Sequence, residues 1–262
     1  MTRRDMIAPA ALALASLAAW EGYVRIAEVP TYVLPGPLAI LAAVWDDRAL
    51  LIPALLVTLR LTLIALGLAV AGGLLLASAF ALSRRVERAL FPYAVILQVT
   101  PVVAIAPLLQ VYLDSAFTAA VICAWIVAFF PILANTAIGL RSVDRGLSDF
   151  FTIHGASRWQ RLRLLAAPSA LPYFLSGLRI AGGLALIGAV VAEFVIGRAG
   201  TGLGLAGTML EASYRFNFPR LWAALFLISG LGIVVFAATS ALSHLLLRRW
   251  HDSARPDSDA QA

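Results

Sequence analysis

The chain has 262 residues, of which 61% are hydrophobic and only 13% are charged, and its mean hydropathy is +0.91. These values lie far outside the averages of soluble proteins and indicate that the lipid bilayer is the solvent. The net charge is +6, but all 20 basic residues are arginine and they lie between apolar runs rather than in one patch. That distribution argues against a nucleic-acid-binding surface, which needs a basic face or a recognition motif.

The first apolar segment, at about 7–27, follows Arg3 and Arg4. Signal peptides and uncleaved first helices both start this way, and since further apolar segments follow, we predict an uncleaved transmembrane helix over 1–28. The next stretch, 29–53, contains Pro30 and the run Leu34-Pro35-Gly36-Pro37. Proline removes a backbone donor and restricts the preceding residue, so an extended periplasmic loop is predicted, with a short amphipathic piece before Pro53.

Five further apolar segments follow, at about 54–82, 91–113, 117–140, 171–197 and 218–247. They are long and do not alternate with polar residues, which favours spanning helices over barrel strands. The sequence thus predicts an all-α membrane protein with about six transmembrane helices. Five of them form a core over 54–250, and the polar tail 251–262 is predicted to be disordered. Small residues within these segments, including Gly182, Gly183 and Gly188, predict close helix packing.

The arginines between the segments are distributed unequally. One set of connections holds Arg3, Arg4, Arg84, Arg85, Arg88, Arg141, Arg145, Arg158, Arg161, Arg163, Arg248, Arg249 and Arg255. The other set holds only Arg25, Arg48, Arg198, Arg215 and Arg220. By the positive-inside rule, both termini and the segments 83–90 and 141–170 are cytoplasmic, while 28–53, 114–116 and 198–217 face outward. This predicts a multi-pass protein of the bacterial inner membrane.

The segment 141–170 is too polar to span the bilayer, yet it carries apolar residues at helical spacing. It predicts a short helix at the membrane surface, for which two interpretations remain. In the first, the helix couples to a soluble partner: small residues allow close approach, two phenylalanines act as anchors, and proline ends the helix before the next span. In the second, it is an amphipathic loop that rests on lipid headgroups. The residues in question are Asp149, Phe150, Phe151, His154, Gly155, Ala156, Ser157 and Pro168.

This segment resembles the cytoplasmic signature of the binding-protein-dependent ABC importer permeases. That signature reads Glu-Ala-Ala, three residues, Gly, nine residues, Ile, one residue, Leu-Pro. In this chain the acid falls on Asp149, the glycine on Gly155 and the proline on Pro168, while Phe150 and Phe151 replace the two alanines. The resemblance implies that these residues, with His154, Ala156 and Ser157, form the surface that couples to a cytoplasmic ATPase. We expect His154 to be an exposed surface group, because no second histidine or paired carboxylate accompanies it.

Further segments, in order along the chain, are similar to the nitrate, taurine and alkanesulfonate subfamily. They are Leu34-Pro35-Gly36-Pro37, the run 98–108, Phe130-Pro131-Ile132-Leu133, Gly177-Leu178-Arg179, Ala192-Glu193-Phe194 and Gly200-Thr201-Gly202-Leu203-Gly204. The resemblance implies a type I permease bundle that works as a dimer, most simply a homodimer, with ATP-binding subunits and an external solute-binding protein. It implies a small solute such as a sulfonate, nitrate or taurine, with a pyrimidine or vitamin precursor left open.

ATP hydrolysis is expected in a separate subunit, because the chain has no lysine and no phosphate loop. No nucleophile–base pair lies in the spans, so the chain is not expected to be an enzyme. Neither a cofactor nor a metal is predicted, since Cys123 is the one cysteine and lies within an apolar run.

Four residues are candidates for the translocation path: Gln98, Thr100, Pro101 and Glu193. Polar groups within a bilayer are costly and usually face a cavity or a partner. We expect Pro101 and Pro107 to loosen the third helix so that it gates the path. The alternative is interhelical hydrogen bonding, worth about 0.6 kcal/mol per bond. A rival function, an ATP-independent secondary transporter, needs ionisable groups in several spans, and Glu193 is its one serious candidate.

Overall fold

The computed structural model describes residues 3–196 and 204–247, with side chains from residue 11 onward. The helices in these ranges are α1 (Arg3–Ile26), α2 (Pro37–Asp46), α3 (Arg48–Leu82), α4 (Arg84–Val99), α5 (Val102–Tyr112), α6 (Ala116–Arg141), α7 (Arg145–Ile153), α8 (Arg158–Arg161), α9 (Ala167–Ile196), α10 (Leu205–Tyr214) and α11 (Phe218–Leu247). A π-helical turn, Leu162–Ala166, joins α8 to α9. No strand occurs in the described ranges. The all-α prediction is therefore confirmed.

Within the described part of the chain, four helical runs are long and apolar enough to cross a membrane: α3, α6, Arg158–Ile196 and α11. The pair α4 and α5 makes a fifth if it counts as one bent span. Helix α1 has 24 residues, which gives it a length of about 36 Å. That length exceeds the hydrocarbon core of about 30 Å. By length and composition, the described residues thus contain four or five of the roughly six predicted spans.

The third predicted segment, 91–113, is not one straight helix. Helix α4 begins at Arg84, inside the predicted loop 83–90, and α4 and α5 meet at 99°. The break lies at Thr100, whose ψ of 125° is extended. Proline at position 101 explains it, because its ring disfavours a helical conformation in the residue before it. Pro107 lies inside α5 without ending it.

The chain divides into two compact units, and the larger comprises 58–201 and 231–262. In this unit α6 and α9 pack against each other in antiparallel directions. A Cβ added to Gly139 of α6 would lie 2.8 Å from the Ala170 Cα, and one added to Gly188 of α9 would lie 2.8 Å from the Ala124 Cα. Residues without a side chain therefore let the two backbones meet at both ends of the pair.

Two apolar clusters surround the α6–α9 pair. One is built on Phe80, Ile132 and Leu175, and the other on Leu61, Cys123 and Ala189. Each combines residues of α3, α6 and α9. The pair is thus the centre of this unit, and α3 packs along it.

The smaller unit comprises 1–57 and 202–230. Its core contains Ile40 of α2, Leu51 of α3 and Leu205 of α10. Arg220 donates from Nε and Nη2 to the two carboxylate oxygens of Asp47, at 2.7 and 2.6 Å. The pair joins the start of α11 to the turn before α3. Two parallel hydrogen bonds of this kind are the strongest geometry between arginine and a carboxylate.

Two predicted loops contain helices. The short piece expected before Pro53 is α2, and α3 begins at Arg48 rather than near residue 54. The predicted outward loop 198–217 contains α10, which the sequence analysis did not predict. The run 200–203 and the predicted tail 251–262 lie outside the described residues.

Candidate functional site

The segment between α6 and α9 forms a short helix, a tight turn and a second helix. The Asp144 carboxylate caps α7 by accepting from the Leu147 N–H at 3.1 Å. Helix α7 ends at Ile153 with His154 as its C-cap, and Gly155 has φ +66°, a value that other residues seldom adopt. Ser157 and Gln160 then form a capping box that starts α8. Gly155, Ala156 and Ser157 are thus a turn between two helices. The expectation that they lie within the short helix is wrong.

One face of α7 is apolar and exposed. Leu147 is 52% exposed, Phe150 56% and Ile153 83%. The His154 ring lies 4.2 Å from the Phe150 ring, centroid to centroid, and extends this face. Phe151 is half-buried beside them. Because residues three and four apart share a helix face, these side chains form one continuous surface.

The other face of α7 is polar and holds the segment together. Arg161 of α8 donates from Nη2 to the Ser148 hydroxyl at 2.7 Å, across the turn. The Thr152 hydroxyl donates to the Ser148 carbonyl at 2.8 Å, and Asp149 is exposed. The two faces differ in role: the polar face fixes α7 against α8, and the apolar face is left open.

Pro168 does not end a helix, contrary to the expectation. The helical run continues from Arg158 to Ile196, and Pro168 is the second residue of α9. The Ala167 N–H donates to the carbonyl of Leu162, five residues earlier, in the π-helical turn. In a regular helix the proline ring would meet the carbonyl four residues before it. The wider turn before Pro168 relieves that clash, so the chain passes the proline without a break.

Sequence reasoning missed Leu147 and Ile153, although both are exposed on the same face as Phe150. The signal was present, because 147, 150 and 153 are spaced by three residues. The importer signature drew attention to the residues from Asp149 onward instead.

The four path candidates lie at two places. Gln98 is exposed at the end of α4, while Thr100 and Pro101 form the bend. The Thr100 hydroxyl donates to the Ile96 carbonyl at 2.6 Å. Glu193 of α9 is 6% exposed and accepts a hydrogen bond from the Thr58 hydroxyl of α3 at 2.8 Å. Thr58, which sequence reasoning did not single out, is therefore a partner of Glu193.

The chain matches the family described as the binding-protein-dependent transport system inner membrane component over residues 69–249. The chain belongs to this family. It is the permease subunit of an ABC importer, an integral inner-membrane protein that takes no catalytic part. Permeases of this kind work with an ATPase and a substrate-binding protein. The resemblance seen in the sequence is confirmed.

Three relatives illustrate the range of the family. The formylaminopyrimidine transport permease ThiX of Halalkalibacterium halodurans is 37% identical over 87% of this chain and 90% of its own. The riboflavin transport permease RibX of Chloroflexus aurantiacus is 35% identical over 89% of this chain and 86% of its own length. The nitrate import permease NrtB of Synechococcus elongatus is 28% identical over 64% of this chain and 65% of its own length. Such relatives place the permease near the nitrate and taurine subfamily.

The fold has a match among solved structures. A chain of the MetNI methionine ABC transporter, in inward-facing conformations, superposes with a TM-score of 0.66 at 18% identity. The match covers 77% of this permease and 98% of that chain. The type I permease fold is therefore confirmed.

Proposed function

We propose that α7 docks on the ATPase subunit and that the continuous helix from Arg158 to Ile196 carries its movement into the membrane. The observation that supports this most is the exposed apolar face of Leu147, Phe150 and Ile153. Apolar and aromatic side chains of this kind act as anchors at protein interfaces. The turn at Gly155, braced by the Ser148–Arg161 bond, joins α7 to this helix, and from Arg158 onward no further loop interrupts it.

The same apolar face would also suit lipid headgroups. Two observations favour the ATPase. ABC permeases require an ATPase partner, and α7 is held in one orientation by the Ser148–Arg161 bond and the turn at Gly155. A helix that only rests on lipid needs no such fixation.

A pair of substitutions tests the docking surface. Phe150→Asp places a charge on the apolar face, while Thr152→Asp places the same charge on an exposed position of the opposite face. Tagged chain is purified in mild detergent with its ATPase coexpressed, and the ratio of the two subunits is measured. We expect Phe150→Asp to reduce recovery of the ATPase at least about tenfold and Thr152→Asp to leave it unchanged. Recovery at the unmodified level with both variants would show that this face of α7 is not the docking surface.

We further propose that the solute is a heterocyclic vitamin or vitamin precursor. The relatives named for formylaminopyrimidine and riboflavin are 37% and 35% identical, against 28% for the nitrate permease. They also match a larger share of this chain. A sulfonate, nitrate or taurine, favoured by the sequence motifs, is the alternative.

Uptake measurements separate these solutes and test the path. Cells that depend on this permease are given labelled aminopyrimidine, riboflavin, taurine or nitrate, and accumulation is compared with a strain lacking the gene. We expect accumulation of a heterocycle alone, lost in Glu193→Ala and kept in Glu28→Ala, which removes an exposed carboxylate. Accumulation of nitrate or taurine alone would refute the solute assignment. Full uptake by Glu193→Ala would remove this residue from the path.

A further inference from the structure

A cavity of about 860 Å³ opens beside the coupling segment, within the larger unit. Its walls come from the end of α3, the start of α4, the end of α6 and the region from α7 to the π-helical turn. It therefore lies where six helical elements converge, on the side predicted to be cytoplasmic.

The charged groups of the cavity are almost all positive. Six arginines line it, and Glu87 is the one carboxylate among the lining residues that the structure describes. The six are Arg84, Arg85, Arg141, Arg145, Arg158 and Arg161. Glu87 forms an ion pair with Arg141. Among the described residues, no carboxylate lies within 4.0 Å of the other five guanidinium groups.

We propose that this cavity binds the phosphate of an anionic phospholipid headgroup. Guanidinium groups bind phosphate oxygens in bidentate fashion, and several arginines that converge on one space repel each other unless an anion lies between them. Basic pockets between transmembrane helices on the cytoplasmic side bind anionic lipid headgroups by this chemistry.

The lining of the cavity favours a lipid over free phosphate. Leu140, Leu162 and Leu165 lie in its wall with the arginines, so the lining offers both apolar and cationic side chains. A glycerophospholipid presents the same pair of surfaces, a phosphate diester beside acyl chains. Free phosphate would use the arginines alone.

The bound headgroup joins the coupling segment to the ends of the neighbouring spans. Arg145 of α7 and Arg158 of α8 line the cavity from the segment between α6 and α9, and Arg84 lines it from the start of α4. An anion held by these arginines together links α7 and α8 to the start of α4. That consequence rests on the proposed coupling role of α7, whereas binding of the anion does not.

Native mass spectrometry of the purified chain in detergent tests the proposal. Phosphatidylglycerol and zwitterionic phosphatidylcholine are titrated, with and without excess inorganic phosphate. The variant is Arg145→Gln with Arg158→Gln. The control is Arg163→Gln with Arg48→Gln, which removes two exposed arginines that do not line the cavity. A thermal melt of each variant checks that the fold is intact.

We expect phosphatidylglycerol to bind at least about tenfold more weakly to the cavity variant than to the control. Phosphatidylcholine should show no such difference. Displacement by inorganic phosphate would identify a free anion as a second source of the ligand, and resistance to it would identify the lipid alone. Equal weakening in both variants, or no preference for the anionic lipid, would overturn the proposal.

Recovery of the ATPase separates this proposal from the docking role of α7. The cavity variant is expected to retain the ATPase while losing the lipid. If it loses the ATPase and keeps the lipid, these arginines contact the ATPase and the cavity is not a lipid site.

Discussion

At the scale of single residues, steric space decides which glycines matter. A Cβ on Gly188 would lie 2.8 Å from the Ala124 backbone, whereas one on Gly183, five residues earlier in the same helix, would meet nothing within 4 Å. The sequence marked both glycines as sites of close packing. It could not separate them, because which face of α9 meets α6 depends on the tertiary arrangement.

Gly188→Ala is expected to destabilise the permease, because overpacking at a backbone contact costs about 1–3 kcal/mol. Gly183→Ala should leave the stability of the chain unchanged or raise it, since alanine is favoured over glycine in a helix by about 1 kcal/mol. Thermal unfolding in detergent, followed by circular dichroism, measures the difference. Two identical melting temperatures would show that α6 and α9 are not in backbone contact at Gly188.

At the scale of elements, backbone conformation alone limits which residues can replace Gly155 in the turn between α7 and α8. Gly155 has φ +66° and open space around its Cα. A side chain there therefore meets no neighbour, and its cost comes only from the left-handed conformation.

Substitutions at Gly155 should follow the tolerance of each residue for positive φ. Asparagine adopts this region readily, alanine is destabilised there by about 1–2 kcal/mol, and a β-branched residue is destabilised more. We expect ATPase recovery and melting temperature to fall in the order Gly155→Asn, Gly155→Ala, Gly155→Val. If the bulk of the side chain sets the order instead, with Asn worse than Ala, Gly155 is a contact point rather than a turn.

The elements differ in how well the sequence predicted them. The long spans were predictable because a bilayer requires about 20 apolar residues of any chain that crosses it. Helix α10 was missed because ten residues that include Glu211 give no such signal, and its burial against Ile40 and Leu51 is tertiary. The effect of Pro168 was misjudged because a proline signals a helix end unless the preceding turn widens.

At the scale of the whole molecule, the orientation in the membrane follows from charge. The arginine asymmetry predicts that the loop near residue 31 faces outward and the coupling segment faces inward. Cys123 is buried. Its low reactivity makes the native chain a suitable background for cysteines introduced elsewhere.

Labelling from outside the cell tests that orientation. Thr31→Cys and Gly146→Cys each introduce a thiol at an exposed position. A membrane-impermeant maleimide should label Thr31→Cys in intact spheroplasts and Gly146→Cys only after permeabilisation. The unmodified chain is the control and should remain unlabelled in both. The reverse pattern would invert the predicted topology and place the arginine-lined cavity outside.

The π-helical turn before Pro168 sets how α8 is rotated about the helix axis relative to α9. A π turn holds one residue more than an α-helical turn, as after a single-residue insertion. Deleting one residue from it would rotate α8 about the helix axis by about 100° relative to α9. The rotation would carry Arg158 and Arg161 away from the cavity and break the bond to Ser148. This one residue thus sets the angle between the start of α9 and the docking surface proposed for the ATPase.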